Sequence, residues 1–195
     1  MSGIDNVIKV INEKNSFHEY PWLRSLYDKV IELKPKRIKE IGTGSGSTTL
    51  VLAQAIYDLN NEGKVVTQDS QKRWSSHNII ESEFPHLHKL IDFNYNTHFE
   101  LELKRDINIE DDFDLLYVDM ANSYNSLKGL FTLLFLSGID NKHIIFEGGC
   151  LHRDEIEHKQ NTEQYITRLQ NEFPYEILNN TFSCVSYYHL KQKLI

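Results

Sequence analysis

The sequence predicts an α/β protein whose seven-stranded, mostly parallel sheet carries helices on both faces and closes in a C-terminal antiparallel hairpin. Three observations predict it. Short apolar runs alternate along the chain with segments of helical period, the pattern of a parallel sheet with right-handed crossovers. The first of those runs turns through three closely spaced glycines, Gly42, Gly44 and Gly46, directly into a helix. From Tyr175 onward two strand-like runs follow each other with no helical segment between them.

Each element has its own signal. In WLRSLYDKVIELK, residues Leu23, Leu26, Tyr27, Val30 and Ile31 recur at helical spacing and Pro35 ends the helix. Residues 37–41 read as the first strand, with Glu40 beside the turn, and Ser47 and Thr48 are suited to cap the apolar helix TLVLAQAIYDL. A turn at 60–63 leads into KVVTQD, a second strand ending in Asp69. A helix over 72–84 stops at Pro85, and a short strand follows near 89–93. After a stretch without a clear pattern, FDLLYVD forms a strand ending at Asp119, residues 124–135 an apolar helix, and HIIFE a strand ending at Glu147. A helix over 163–173 precedes YEIL and FSCVSYYHL, joined by a turn at Asn179-Asn180, since asparagine tolerates left-handed turn conformations.

The chain of 195 residues, 40% apolar and 25% charged, has the size of a single domain, with a helical segment over 1–34 and a core over 35–195. A net charge of −7 argues against nucleic acid as a partner. The opening MSGIDNVIKVINEKN has no basic segment before an apolar run, and no stretch approaches the ~20 apolar residues that span a bilayer. The expectation is a cytoplasmic protein with no membrane partner, acting on a small molecule, alone or as a homodimer. Cys150 and Cys184 are too few for a disulfide framework and too isolated for a zinc site.

The glycine loop narrows the chemistry. A dinucleotide fingerprint requires its third glycine at position 47, which is Ser47. The pattern Glu40-x-Gly42-x-Gly44-x-Gly46 instead resembles motif I of the class I S-adenosylmethionine (SAM) methyltransferases. With Asp69, the DLLYVD and HIIFE strands and the terminal hairpin in order, the chain from about Leu23 onward is similar to that family. It most resembles the catechol O-methyltransferase-like small-molecule enzymes, of the methyltransferase family 24 type. FDLLYVDMANSYNSLKGLFTLL, with Asp119, Ser123 and Tyr124, is the most specific part of the likeness.

The resemblance implies a Rossmann-like fold and SAM as cofactor, bound by Glu40, Gly42, Thr43, Gly44, Gly46, Ser47, Asp69 and Asp119. Asp69 would accept hydrogen bonds from both ribose hydroxyls, Glu40 would support the loop and the ligand's ammonium end, and adenine would lie near 93–96. The implied reaction is in-line methyl transfer to a hydroxyl of a small molecule or sugar-like intermediate. The alternatives are a SAM-binding module without transferase activity and a nicotinamide-dependent oxidoreductase.

The catechol group also holds magnesium with an acid at strand four and an Asp-Asn pair after strand five. Asp119 and Glu147 stand at the matching strand ends, but Gly148 replaces the asparagine and Asn122 stands near the place of the catalytic lysine. The catalytic candidates are therefore Asp119, Glu147 and His152, the metal candidates Asp119 and Glu147, and Mg2+ an optional second cofactor. Gly148-Gly149 either admits a ligand close to the backbone or merely bends the chain, and Trp74 either flanks adenine or anchors a helix.

Overall fold

The computed structural model describes residues 3–14, 22–69, 74–95, 112–119, 124–147, 171–172, 175–182 and 185–192. Helices α1 (Gly3–Lys14) and α2 (Trp22–Leu33) precede β1 (Arg37–Ile41), α3 (Ser47–Leu59), β2 (Lys64–Asp69), α4 (Trp74–Glu83), α5 (Pro85–His88) and β3 (Ile91–Tyr95). Then come β4 (Leu115–Val118), α6 (Tyr124–Leu136), β5 (Lys142–Glu147), β6 (Tyr175–Phe182) and β7 (Val185–Gln192). The strands lie in the order β3-β2-β1-β4-β5-β7-β6, parallel from β3 through β5 and antiparallel through β7 and β6. This is the Rossmann-like, mostly parallel sheet with flanking helices that the alternating runs predict.

Period-two alternation assigns the strand residues to two layers. Ile38, Val65, Ile91, Leu115, Tyr117 and Ile145 share one core with Ile4, Val7 and Ile11 of α1, Leu23, Leu26 and Val30 of α2, and the buried side of α3. The intervening Ile41, Leu116, Val118 and Ile144 are also buried, outside that cluster and therefore on the other face. The chain crosses leftward from β1 through α3 to β2 and rightward from β4 through α6 to β5. Right-handed crossovers in opposite directions put α3 and α6 on opposite faces, and α3 is buried all round over 47–56 because α1 and α2 cover the side turned from the sheet.

Polar contacts tie α2 to α1 through Arg24 and Asp5 and to α3 through Tyr27 and Asp58, whose other oxygen is held within α3 by Gln54. Arg24 Nη1 donates to Asp5 Oδ1 at 2.8 Å, Tyr27 Oη to Asp58 Oδ2 at 2.7 Å, and Gln54 Nε2 to Asp58 Oδ1 at 2.9 Å. Burial, then the hydrogen bond to Asp58 and its charge, push the Tyr27 phenol up to about 12. At the amino edge of the sheet, Asp114 Oδ2 accepts the amides of Lys36 and Arg37 at 2.8 and 3.0 Å, fixing the start of β1 against β4.

Several boundaries differ from expectation. Asn179 and Asn180 are not a turn: they pair with Tyr188 and Tyr187 inside the hairpin ladder, and β6 runs on to Phe182. The β-branched and aromatic residues on both sides sustain the strand through the asparagines. Strand β3 lies two residues later than 89–93, because Pro85 opens the short helix α5, its first position suiting a residue without an amide hydrogen. The helix expected over 163–173 lies outside the described residues apart from 171–172. Among the described residues, no helix is long and apolar enough to cross a membrane.

Candidate active site

Strand order reverses between β1 and β4, and ligands of such sheets bind beyond the carboxyl ends at that switch point. The register brings the expected acids into one row there. Ile41 pairs with Gln68 and Val118, and Val118 with Phe146, so Asp69, Gly42, Asp119 and Glu147 each stand one residue past a pair on four adjacent strands. Strand spacing is ~4.8 Å, which sets the separation of neighbouring members of the row.

The loop between β1 and α3 turns on its glycines. Gly42, Gly44 and Gly46 have φ of 98, 51 and 79°, values that side-chain-bearing residues rarely adopt. Gly42 is fixed by approach as well as angle: a Cβ there would lie 1.8 Å from the carbonyl oxygen of Asp119. Its amide donates to Gln68 O and the Asp119 amide to Ile41 O, each at 2.8 Å, so β1 is clasped from both neighbouring strands. The Cβ direction of Gly44, in contrast, meets nothing within 4 Å. That open side is where a ligand can lie against the backbone.

Three polar contacts shape the rest of the loop. Gly46 N–H donates to Thr43 O at 2.7 Å, Gly44 N–H to Asp69 Oδ2 at 2.9 Å, and the hydroxyls of Thr43 and Thr67 meet at 2.6 Å. Thr43 therefore turns its side chain inward and presents only its backbone to a ligand. The expectation that Ser47 and Thr48 cap α3 is corrected: the cap position is Gly46, left-handed and without a side-chain cap. Thr48 and Thr49 instead donate to the two carboxylate oxygens of Glu40, at 2.7 and 2.5 Å, while Ser47 Oγ lies 2.9 Å from Ser45 Oγ. Glu40 has no exposed surface. Its negative charge is stabilised by those hydroxyls and by the amino end of α3.

Asp69 is 9% exposed and Asp119 half-buried, whereas Glu147 ends β5 with its side chain outside the described residues. His152, Asn122, Gly148, Cys150 and the side chain of Trp74 also lie outside them. Among the described residues, no group of three His, Cys, Asp or Glu is arranged to hold a metal ion. Tyr95 falls within the stretch 93–96 expected beside adenine, and Thr67, which the sequence does not single out, supports the loop from β2. Tyr95 pairs with Asp69 in register and stacks on Phe93 at 5.7 Å; burial, then the charges of Asp69 and Glu40, push its phenol up to about 12. Thr67 is fully buried in β2. Its signal was a polar residue two positions from Val65, on the same inward face of the strand.

Comparison with known proteins decides what this loop belongs to. A family model described as a methyltransferase domain matches residues 39–156, which include the loop, Asp69, Asp119 and Glu147. The chain belongs to the methyltransferase-domain family. Methyl transfer from SAM, rather than nicotinamide chemistry, is the activity that membership carries. No curated protein sequence matches the chain. Among solved structures, the SAH-bound methyltransferase PaMTH1 of Podospora anserina superimposes with a TM-score of 0.69 at 16% identity, over 97% of this chain and 88% of that one. The O-methyltransferase TomG of Streptomyces achromogenes, involved in tomaymycin synthesis and solved with SAM, gives 0.63 at 14% identity, over 96% and 89%. The O-methyltransferase from Bacillus cereus, in complex with SAH, gives 0.60 at 18%, over 95% and 90%. At these identities the likeness shows the fold, that of the class I SAM-dependent methyltransferases.

Proposed function

We propose that this methyltransferase transfers the methyl group of SAM to a hydroxyl oxygen of a small-molecule acceptor, and that residues 1–195 act as one domain. The observation that carries this reading is the carboxyl edge of the sheet. A glycine loop with one open face stands beside the buried carboxylate of Asp69, and two further carboxylates follow on the next strands. The O-methyltransferases among the structural neighbours favour oxygen as the acceptor atom. Continuity of the hydrogen-bonded sheet through β7 and β6 supports a single unit.

The residues present fit the cofactor. An ionised carboxylate has about four acceptor sites, so Asp69 retains capacity for ribose hydroxyls while Oδ2 holds the Gly44 amide. The open face of Gly44 admits the ligand, and the buried charge of Glu40 lies beneath the loop, where it favours the ammonium end. When bound, SAM supplies a methyl group made electrophilic by a positively charged sulfur. The protein's task is then to align the acceptor hydroxyl and take its proton. Asp119 and Glu147 fit that role from adjacent strand ends, and His152 is the alternative base.

Magnesium fits less well. Asp119 and Glu147 supply two carboxylates, Gly148 supplies no side-chain ligand, and magnesium requires a near-octahedral oxygen set.

The test is methyl transfer from labelled SAM to a panel of phenolic and alcoholic acceptors, with and without EDTA. Oxygen methylation that falls at least tenfold in Asp119→Asn supports the assignment. Product methylated only at nitrogen, or an Asp119→Asn variant as active as wild type, overturns it.

A further inference from the structure

The last three residues of β2 each hold the glycine loop, through three different groups. Thr67 meets the Thr43 hydroxyl at 2.6 Å, the Gln68 carbonyl accepts the Gly42 amide at 2.8 Å, and Asp69 Oδ2 accepts the Gly44 amide at 2.9 Å. Strand β2 is thus a template on which the loop is laid. Of the three, Thr67 is the one whose presence needs explaining. It is wholly buried in register between Glu40 and Phe93, on the face that carries Val65, Ile91, Leu115, Tyr117 and Ile145, where valine would pack without a hydroxyl to satisfy.

We propose that Thr67 is a positioning residue for the cofactor: acting through Thr43, it holds the loop in the conformation that binds SAM. The proposal rests on the SAM reading and extends it to a residue that cannot touch the ligand. Between Gly42 and Gly46, Thr43 is the only buried side chain, since Ser45 is exposed and Gly44 has none. Three glycines held at positive φ make the loop costly to order, since glycine loses more conformational freedom than any other residue. The Thr43–Thr67 contact is therefore the side-chain anchor that offsets this cost from below. Without it, the loop populates other conformations, and apparent affinity falls in proportion to the binding-competent fraction. The chemical step, once SAM is bound and the loop ordered, is unaffected. Asp69 cannot separate these effects, because in the proposed site it contacts both loop and ligand; Thr67 can.

The experiment compares Thr67→Val, Thr67→Ser, Thr43→Val and the double valine variant by SAH calorimetry, SAM kinetics, thermal melting and amide hydrogen exchange. Thr67→Val is expected to raise the SAH Kd and the SAM KM by ~3- to 10-fold, the range of one hydrogen bond, with kcat at saturating SAM unchanged. Thr67→Ser restores both values. The double valine variant binds no worse than Thr67→Val, since replacing both partners leaves no orphaned hydroxyl. In ligand-free protein, exchange of the amides over 42–48 accelerates in Thr67→Val while those of β4 hold. A variant that melts lower but keeps wild-type Kd, KM and loop exchange overturns the proposal, and so does a drop confined to kcat. Were wild type to bind no SAH, the cofactor reading would fail, and the exchange arm would still decide whether Thr67 positions the loop.

Discussion

Gly42 and Gly44 stand two residues apart in the same turn, yet alanine at each should fail in a different way. At Gly42 the added Cβ would lie 1.8 Å from Asp119 O and 2.8 Å from Asp119 C, both backbone atoms of a paired strand, and φ is 98°. Positive φ costs ~1–2 kcal/mol for a residue with a side chain, and the backbone shift that relieves the overlap costs ~1–3 kcal/mol more. The sum, ~2–5 kcal/mol, corresponds to a fall of at least ~4 °C in Tm for a protein of this size. At Gly44 only the φ contribution applies, because nothing lies within 4 Å of the added atom. Gly44→Ala should therefore lose stability by ~1–2 kcal/mol at most. Its methyl group, however, enters the open face assigned to the ligand, where overpacking of ~1–3 kcal/mol weakens binding by ~5- to 150-fold. Urea unfolding and SAH calorimetry on the two variants read both quantities. Gly42→Ala as stable as Gly44→Ala would refute the close approach of β1 and β4. Gly44→Ala with full SAH affinity would refute the cradle.

Three further outcomes follow from other contacts. Glu40→Gln, which removes the charge accepting the Thr48 and Thr49 hydroxyls, should lower stability by ~1.5–3 kcal/mol in denaturant titration. Tyr27 and Tyr95 should ionise near pH 12, after the ordinary tyrosines among the ten in the chain, and ultraviolet titration of the Tyr27→Phe/Tyr95→Phe protein should lack that late component. A phenol whose folded pKa exceeds its unfolded value adds stability that is whole below pH ~10 and lost as pH rises to ~12, so the wild type should lose stability across that window more steeply than the double variant. Glu147→Gln should leave the response to added magnesium and EDTA as in wild type, since the row of strand ends supplies too few ligands; selective loss of a magnesium response would restore the metal reading.

Much of the site was legible because strand ends are announced locally. RIKEIGTGSG and KVVTQD carry their boundaries in apolar runs that stop at an acid or a glycine, and the register then brings those stops into one row. Residues whose role depends on a partner far along the chain were not legible. Thr67 reads as an ordinary strand residue until Thr43 lies over it, and within the stretch 93–96 nothing marks Tyr95 until Asp69 stands beside it. Glu40 is legible as the acid beside the loop but its donors are not: the hydroxyls of Thr48 and Thr49, in the first turn of α3, hold its two oxygens, as a buried carboxylate requires. Asn179 and Asn180 misled for the converse reason: their turn preference is local, and pairing with Tyr187 and Tyr188 outweighs it. Helix α1 showed its buried Ile4, Val7 and Ile11 at helical spacing from the start, within a segment read only as a helical leader to the core.

Whether the loop and the β2 acid form a SAM site is read out by calorimetric titration of wild type and Asp69→Ala with SAM and SAH. Wild type should bind both ligands, and the variant should lose ~1.5–3 kcal/mol, about 10- to 150-fold, the worth of hydrogen bonds to a charged acceptor. Absence of binding by wild type, or equal affinity in Asp69→Ala, would contradict a SAM site there.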